Sequence, residues 1–205
     1  MRALLLAAAA LIAAPLPAQT IAITGARVAL GDGSEPIEGG TVLIRNGRIV
    51  AAGAGVAVPA DARRIDATGK WVTPGLIAGF SRLGLSEVEG VDPTNDTVAA
   101  RAPFSVAIDA ADAVNPRATA IPVSRSGGIT RAVVAPASGA TMFAGLGAVI
   151  DTGADFDAVT RARAFQYVEF GETGAAKAGG SRAAAWAFFR NALQEARDYA
   201  VSQRP

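Results

Sequence analysis

Catalysis and metal binding need side chains with a spare lone pair or a movable proton, and this chain is short of the best ones. Its 205 residues include no His and no Cys, so no imidazole or thiolate site can form within them. Carboxylates, hydroxyls and guanidinium groups remain. The densest carboxylate group is Asp151, Asp155 and Asp157. Calcium favours oxygen-rich loops, but this spacing matches no calcium loop. With Ala158-Val159 read as the start of a helix, Asp155 or Asp157 is better placed as its N-cap. Asp109 and Asp112 fall in FSVAIDAADAV (Phe104–Val114), which is predicted as one short helix with both carboxylates on a solvated face rather than as an acid–base pair. PASGATMFAGLG (Pro136–Gly147) is a glycine-rich loop whose N–H groups could cradle an anion. It has neither the Lys of a P-loop nor GxGxxG spacing, and is read as a tight loop.

The elements that must position these groups follow from patterning. Thr41–Val50 alternates apolar and polar residues around Asn46-Gly47, the pair that best tolerates the positive φ of a type I′ hairpin turn. Ile21–Leu30 is β-rich and Gly31–Gly40 turn-rich. Ala60–Asp66 and Lys70–Thr73 are short extended pieces broken at Thr68-Gly69, giving three to five strands before Pro74-Gly75. Leu76–Phe80 is an apolar patch. Ser86–Pro122 carries prolines at 93, 103, 116 and 122, which interrupt helix and sheet alike. Ser126–Ala135 reads as a buried parallel strand, and Ala148–Asp151 as a further short strand. Thr160–Phe170 is a strand or short helix, and Gly171–Gly180 a flexible connection. Ser181 then caps a helix, Arg182–Val201, whose Trp186, Phe188 and Phe189 are expected to pack on a sheet.

The net charge of +1 marks no nucleic-acid or anionic-membrane partner. Met1–Ala18 has the form of a signal peptide: Arg2, an apolar run, then Pro15-Leu16-Pro17-Ala18. The run is too short to span a bilayer. The expectation is export to the periplasm, with no membrane span after cleavage.

GGTVLIRNGRIVAAG (Gly39–Gly53) followed by PADARRIDATGKWVTPGLIA (Pro59–Ala78) resembles the amino-terminal signature of the metal-dependent amidohydrolase superfamily, in particular its imidazolonepropionase-like branch. The resemblance implies an α/β fold. Residues 19–70 would form part of a small β-sandwich, and residues 71–205 the first strands and helices of a TIM-like (β/α)8 barrel. Trp71–Leu85 would hold the first barrel strand and its loop, and Ser126–Ala135 the second strand. In that family PGLID runs into H-x-H, whose two His bind zinc or another divalent metal. Here the same columns hold Phe80, Ser81 and Arg82. A benzyl ring has no lone pair for a metal, and a guanidinium stays protonated, so no cofactor or metal is expected in this chain. Phe80 is read as core packing, and Arg82 as a loop arginine or an anion-binding group.

A full barrel takes about 250 residues, so the chain is read as incomplete, either part of a longer product or a truncated frame. The resemblance implies a hydrolase acting on carbon–nitrogen bonds other than peptide bonds, degenerate at its metal site and inactive as this chain alone. The alternative is a metal-free periplasmic binding or scaffolding module that keeps the fold. A stand-alone β-rich interaction domain leaves IDATGKWVTPGLI unexplained. The expected partner is a small molecule, whose identity would rest on analogy alone.

Overall fold

Strand β1 (Thr20–Val28) is the spine of the first part of the chain. It pairs antiparallel with β2 (Ile37–Arg45), which pairs antiparallel with β3 (Arg48–Gly53). The β2–β3 connection is the Asn46-Gly47 turn, with φ of 53° and 71°, the type I′ geometry that matches the right-handed twist of the strands. On its other edge β1 is paired twice, in parallel, by β4 (Arg63–Asp66) and then β5 (Trp71–Val72). Between those two strands Asp66 Oδ1 accepts from the Thr68 N–H at 2.9 Å and hydroxyl at 2.7 Å. That closes the turn predicted at Thr68-Gly69. Ala26, Val28, Val42 and Ala67 are buried as one cluster, with Ile23, Ile37, Ile44 and Val72 against it. Trp71 is 55% exposed and lies under the Arg27 guanidinium, 4.4 Å away, which is itself paired with Glu38 at 2.7 Å.

A computed structural model describes residues 20–88 and 90–203. The described residues divide into two compact units, one ending at Pro74 and the other beginning at Gly75. The signal-peptide reading of Met1–Ala18 lies outside the described residues. Trp71-Val72, read from the sequence both as an extended piece before Pro74 and as the start of the first barrel strand, belongs to the first unit because it pairs with β1. Among the described residues no helix is long and apolar enough to cross a membrane.

The second unit holds a four-stranded sheet in the order β6-β7-β8-β9. Strand β6 (Leu76–Ser81) runs parallel to β7 (Ile129–Val134), as the sequence predicts for the Ser126–Ala135 segment. The connection between them is long enough for the crossover that parallel pairing requires. It contains 3-10 turns at Asp92–Thr94 and Ala110–Ala113 and helix α1 (Ala120–Ser126). Strands β8 (Phe143–Asp151) and β9 (Val159–Val168) then follow antiparallel. This departs from the all-parallel run of a (β/α)8 unit. Ala135–Met142 is too short for a crossover, so β8 can only fold back on β7. Leu85, Ala110, Ala132, Val134 and Ile150 form the buried core, and each large aliphatic among them contributes about 1.5–3 kcal/mol by leaving water.

Four local readings are corrected. Phe104–Val114 makes only the 3-10 turn at Ala110–Ala113. Ala158-Val159 opens strand β9 rather than a helix, since Val159 and Thr160 are β-branched and face β8. Phe143–Gly147, assigned to the glycine-rich loop, is the start of β8. Gly171–Gly180 contains helix α2 (Glu172–Lys177), where the helix propensity of Ala175 and Ala176 outweighs the flanking glycines. Helix α3 (Arg182–Ser202) is capped as expected: the Ser181 hydroxyl accepts from the Ala184 N–H at 3.1 Å. Phe143 of β8 packs on Phe188 and Phe189, and Phe170 on Trp186.

Candidate functional site

The parallel pair β6–β7 ends where Phe80, Ser81 and Arg82 stand. Ala78 pairs with Ala132 and Ser81 with Val134, so three steps along β6 match two along β7. The extra residue is a β-bulge, and bulges re-aim side chains beside sites. Ala78 packs on the core, whereas Phe80 is turned outward and 52% exposed. The expectation that Phe80 packs in the core therefore fails. Its ring rests against Tyr167 of β9 at 5.1 Å between centroids, and the Arg82 guanidinium lies 5.8 Å over it. Ser81 Oγ donates to the Val133 carbonyl at 3.0 Å and accepts from the Leu83 N–H at 3.3 Å.

On β8 the positions that pair with two aromatics of β9 are glycines. Tyr167 pairs with Gly145 and Phe165 with Gly147. A Cβ on Gly147 would sit 2.1 Å from the Phe165 ring, so only glycine admits that ring. Of the glycines thought to cradle an anion, Gly147 instead seats the Phe165 ring, whereas Gly145 and Gly139 admit neighbouring backbone: a Cβ there would sit 2.5 Å from the Ile108 carbonyl and 2.7 Å from the Ala99 carbonyl.

An open groove of about 480 Å³ is lined in part by Ser81, Arg82, Ser86, Asn95, Ser124 and Ile129, and Phe80 is not among its lining residues. Glu87 also lines it and accepts a hydrogen bond from the Asn115 amide. Among the described residues the ion pairs are Arg27–Glu38 and Arg163–Asp109, and Arg82 enters neither.

The carboxylates flagged in the sequence are committed elsewhere. The Asp109 side chain is 5% exposed, accepts from the Ala111 N–H at 3.0 Å and pairs with Arg163 Nε at 2.8 Å. That hydrogen bond pushes the Arg163 guanidinium further up. Asp151 accepts from the Gly153 N–H at 2.7 Å and shapes the β8–β9 turn. Asp155 and Asp157 lie in the connection from β8 to β9. Among the described residues no three His, Cys, Asp or Glu gather closely enough to hold a metal ion. A divalent metal does not fit at Phe80–Arg82 either: the ring offers no donor, the guanidinium repels a cation, and the Ser81 hydroxyl, with one lone pair left beyond its two hydrogen bonds, is a single neutral oxygen.

One polar cluster escaped the sequence reading. Lys177 Nζ donates to the Ser138 carbonyl and hydroxyl, both at 2.6 Å, and the Ser138 hydroxyl donates to Glu169. Ser138 is 6% exposed. The trio ties the loop after β7 to the end of β9 and to α2. No spacing rule joins residues this far apart in sequence.

No family model matches the chain. Over 50 residues it is 52% identical to an imidazolonepropionase of Bradyrhizobium diazoefficiens, a match covering 23% of this chain and 12% of that protein. The crystal structure of an amidohydrolase from Thermotoga maritima MSB8 matches 89% of this chain and 49% of its own, with a TM-score of 0.77 at 26% identity. A molinate hydrolase structure covers 57% of this chain at a TM-score of 0.38, too low to carry weight. The chain thus spans about half (49%) of the amidohydrolase structure it matches. Its mixed α/β fold is similar to that of an amidohydrolase, and the likenesses support the amidohydrolase superfamily.

Proposed function

We propose that this chain supplies the first part of an amidohydrolase-superfamily protein that hydrolyses a carbon–nitrogen bond other than a peptide bond. The observation that carries the reading is the match of 89% of the chain to an amidohydrolase. In this reading β1–β5 are the amino-terminal share of a small β-sandwich. The pair β6–β7 forms the first two strands of a TIM-like barrel, with β8–β9 as a hairpin added to it. Catalytic groups of such barrels gather at the carboxy-terminal strand ends, which is where Phe80 and Arg82 lie.

Phe80 and Arg82 stand in the columns of the family's first two metal ligands, and neither side chain can replace a His. The first-strand metal pair is therefore lost, and any catalytic metal is held by residues outside these 205. The protein is exported through Met1–Ala18 and works on a small molecule in the periplasm.

The test is carried out on the full-length gene product. Purified protein should hydrolyse members of a panel of cyclic and N-acyl amides, and Phe80→Ala and Arg82→Ala should leave its metal content unchanged. A stoichiometric metal lost on either substitution would refute the loss of the first-strand pair. Inactivity of the unaltered protein across the panel, with no metal bound, would refute the hydrolase reading.

A further inference from the structure

We infer that residues 105–113, in the middle of the long β6–β7 connection, form a strap that opens without the rest of the sheet. The Asp109–Arg163 ion pair is the latch that holds it on β8 and β9. The inference does not depend on the hydrolase reading.

Three observations carry it. First, the strap has a seat. The Leu146 N–H donates to the Ile108 carbonyl at 2.6 Å, and Asp109 bridges Leu146 in parallel. Strand β7 pairs with β8 only as far as Ala148, so the strap takes over the edge of β8 beyond that point. Second, Arg163 is aimed at the strap against steric strain. Between the Gly147–Phe165 and Val149–Arg161 pairs, β9 advances four residues while β8 advances two. Arg163 lies in that bulge with φ of 51°, a left-handed conformation that an L residue adopts only under constraint. Its side chain, 72% exposed, reaches in to Asp109, 5% exposed, at 2.8 Å. A glycine would relax this backbone but could not pair with the carboxylate. Third, little else fastens the strap. Among the described residues its further ties are the Ser105–Thr141 hydroxyl contact at 2.9 Å and Ala110, buried beside Leu85 and Ile150. Its one regular turn, Ala110–Ala113, is itself capped by Asp109. A segment with few buried contacts and sparse backbone bonds opens locally, and a carboxylate left buried without its partner drives that opening. Val106 of the strap lines an apolar groove of about 350 Å³ with Phe143, Val168, Phe189 and Leu193, so opening widens that groove.

Hydrogen exchange on the full-length protein tests it. In the unaltered protein, residues 105–113 and the Leu146 amide should exchange together, about ten-fold or more faster than residues 131–134 and 148–151. Arg163→Gly relaxes the bulge and removes the latch, and should speed exchange of the strap and of Leu146 by about ten-fold more while leaving 148–151 unchanged. Asp109→Asn keeps an acceptor for the Ala111 N–H but loses the charge, and should shift the same residues in the same direction. It also decides the matter should Arg163→Gly fail to fold. A residue that merely supported the fold would move strap and sheet together. Exchange of the strap at the rate of the sheet in the unaltered protein would therefore overturn the inference. So would equal acceleration of both in the variants, or no acceleration in either.

Discussion

Replacing Lys177 by Met keeps the aliphatic stem and removes the ammonium that joins α2 to the loop after β7. Two hydrogen bonds at 2.6 Å disappear, one to the Ser138 carbonyl and one to its hydroxyl. Hydrogen bonds to a charged group contribute about 1.5–3 kcal/mol each, and Ser138, 6% exposed, has little water to turn to. Against this, the Met side chain, no longer tethered, has rotamer freedom worth up to about 2 kcal/mol that Lys177 gave up, and the partial exposure of Lys177 screens the charge that is lost. The balance is a destabilisation of about 2 kcal/mol, or a fall in Tm of roughly 4–8 °C for a protein of this size. Urea denaturation at pH 7 measures it, and hydrogen exchange should show faster opening confined to residues 135–142 and 172–177. The Ser138→Ala/Lys177→Met double variant should lose less than the sum of the single losses, by about 1 kcal/mol, because both remove the same contact. A single-variant change under about 0.5 kcal/mol, the size of an ordinary surface substitution, or strict additivity, would show that the trio does not hold this loop.

Gly147→Val should cost about 3 kcal/mol or more, since its Cβ would sit 2.1 Å from the Phe165 ring and displacing that ring overpacks the sheet; a denaturation midpoint equal to that of the unaltered protein would count against the seating of β9 on β8. At Asp66 the Thr68 hydroxyl, followed by the Thr68 N–H, holds the carboxyl below its ordinary 3.8. Because the folded value is the lower one, this contribution to stability is full above the ordinary value and is lost as pH falls through the lowered one. Thr68→Ala should raise the Asp66 value in an NMR titration and narrow that acid window; an unchanged titration would contradict the turn geometry.

Local chemistry was legible wherever one short segment decides the outcome. Asn46-Gly47 specifies its own positive φ values, Ser181 carries its own capping oxygen, and Thr68-Gly69 sits in a turn that Asp66 closes. The strands of the first unit were readable for the same reason. The errors fall where a distant partner decides. Val159 and Thr160 become strand because β8 lies beside them, and Trp71-Val72 join the first sheet because β1 has a free edge there. Gly145 and Gly147 look like loop glycines until the Ile108 backbone and the Phe165 ring are laid against them.

The candidate site divides in the same way. The sequence by itself determined that no imidazole or thiolate could serve here and that Phe80 and Arg82 follow the Pro74-Gly75 signature, because residue identity alone decides which lone pairs exist. Only the tertiary structure decided that Phe80 faces outward on a bulge with Arg82 above it, and that Ser138 meets Glu169 and Lys177. Those outcomes depend on strand register and on side chains brought together across the sheet, where each contact is local in space and remote along the chain.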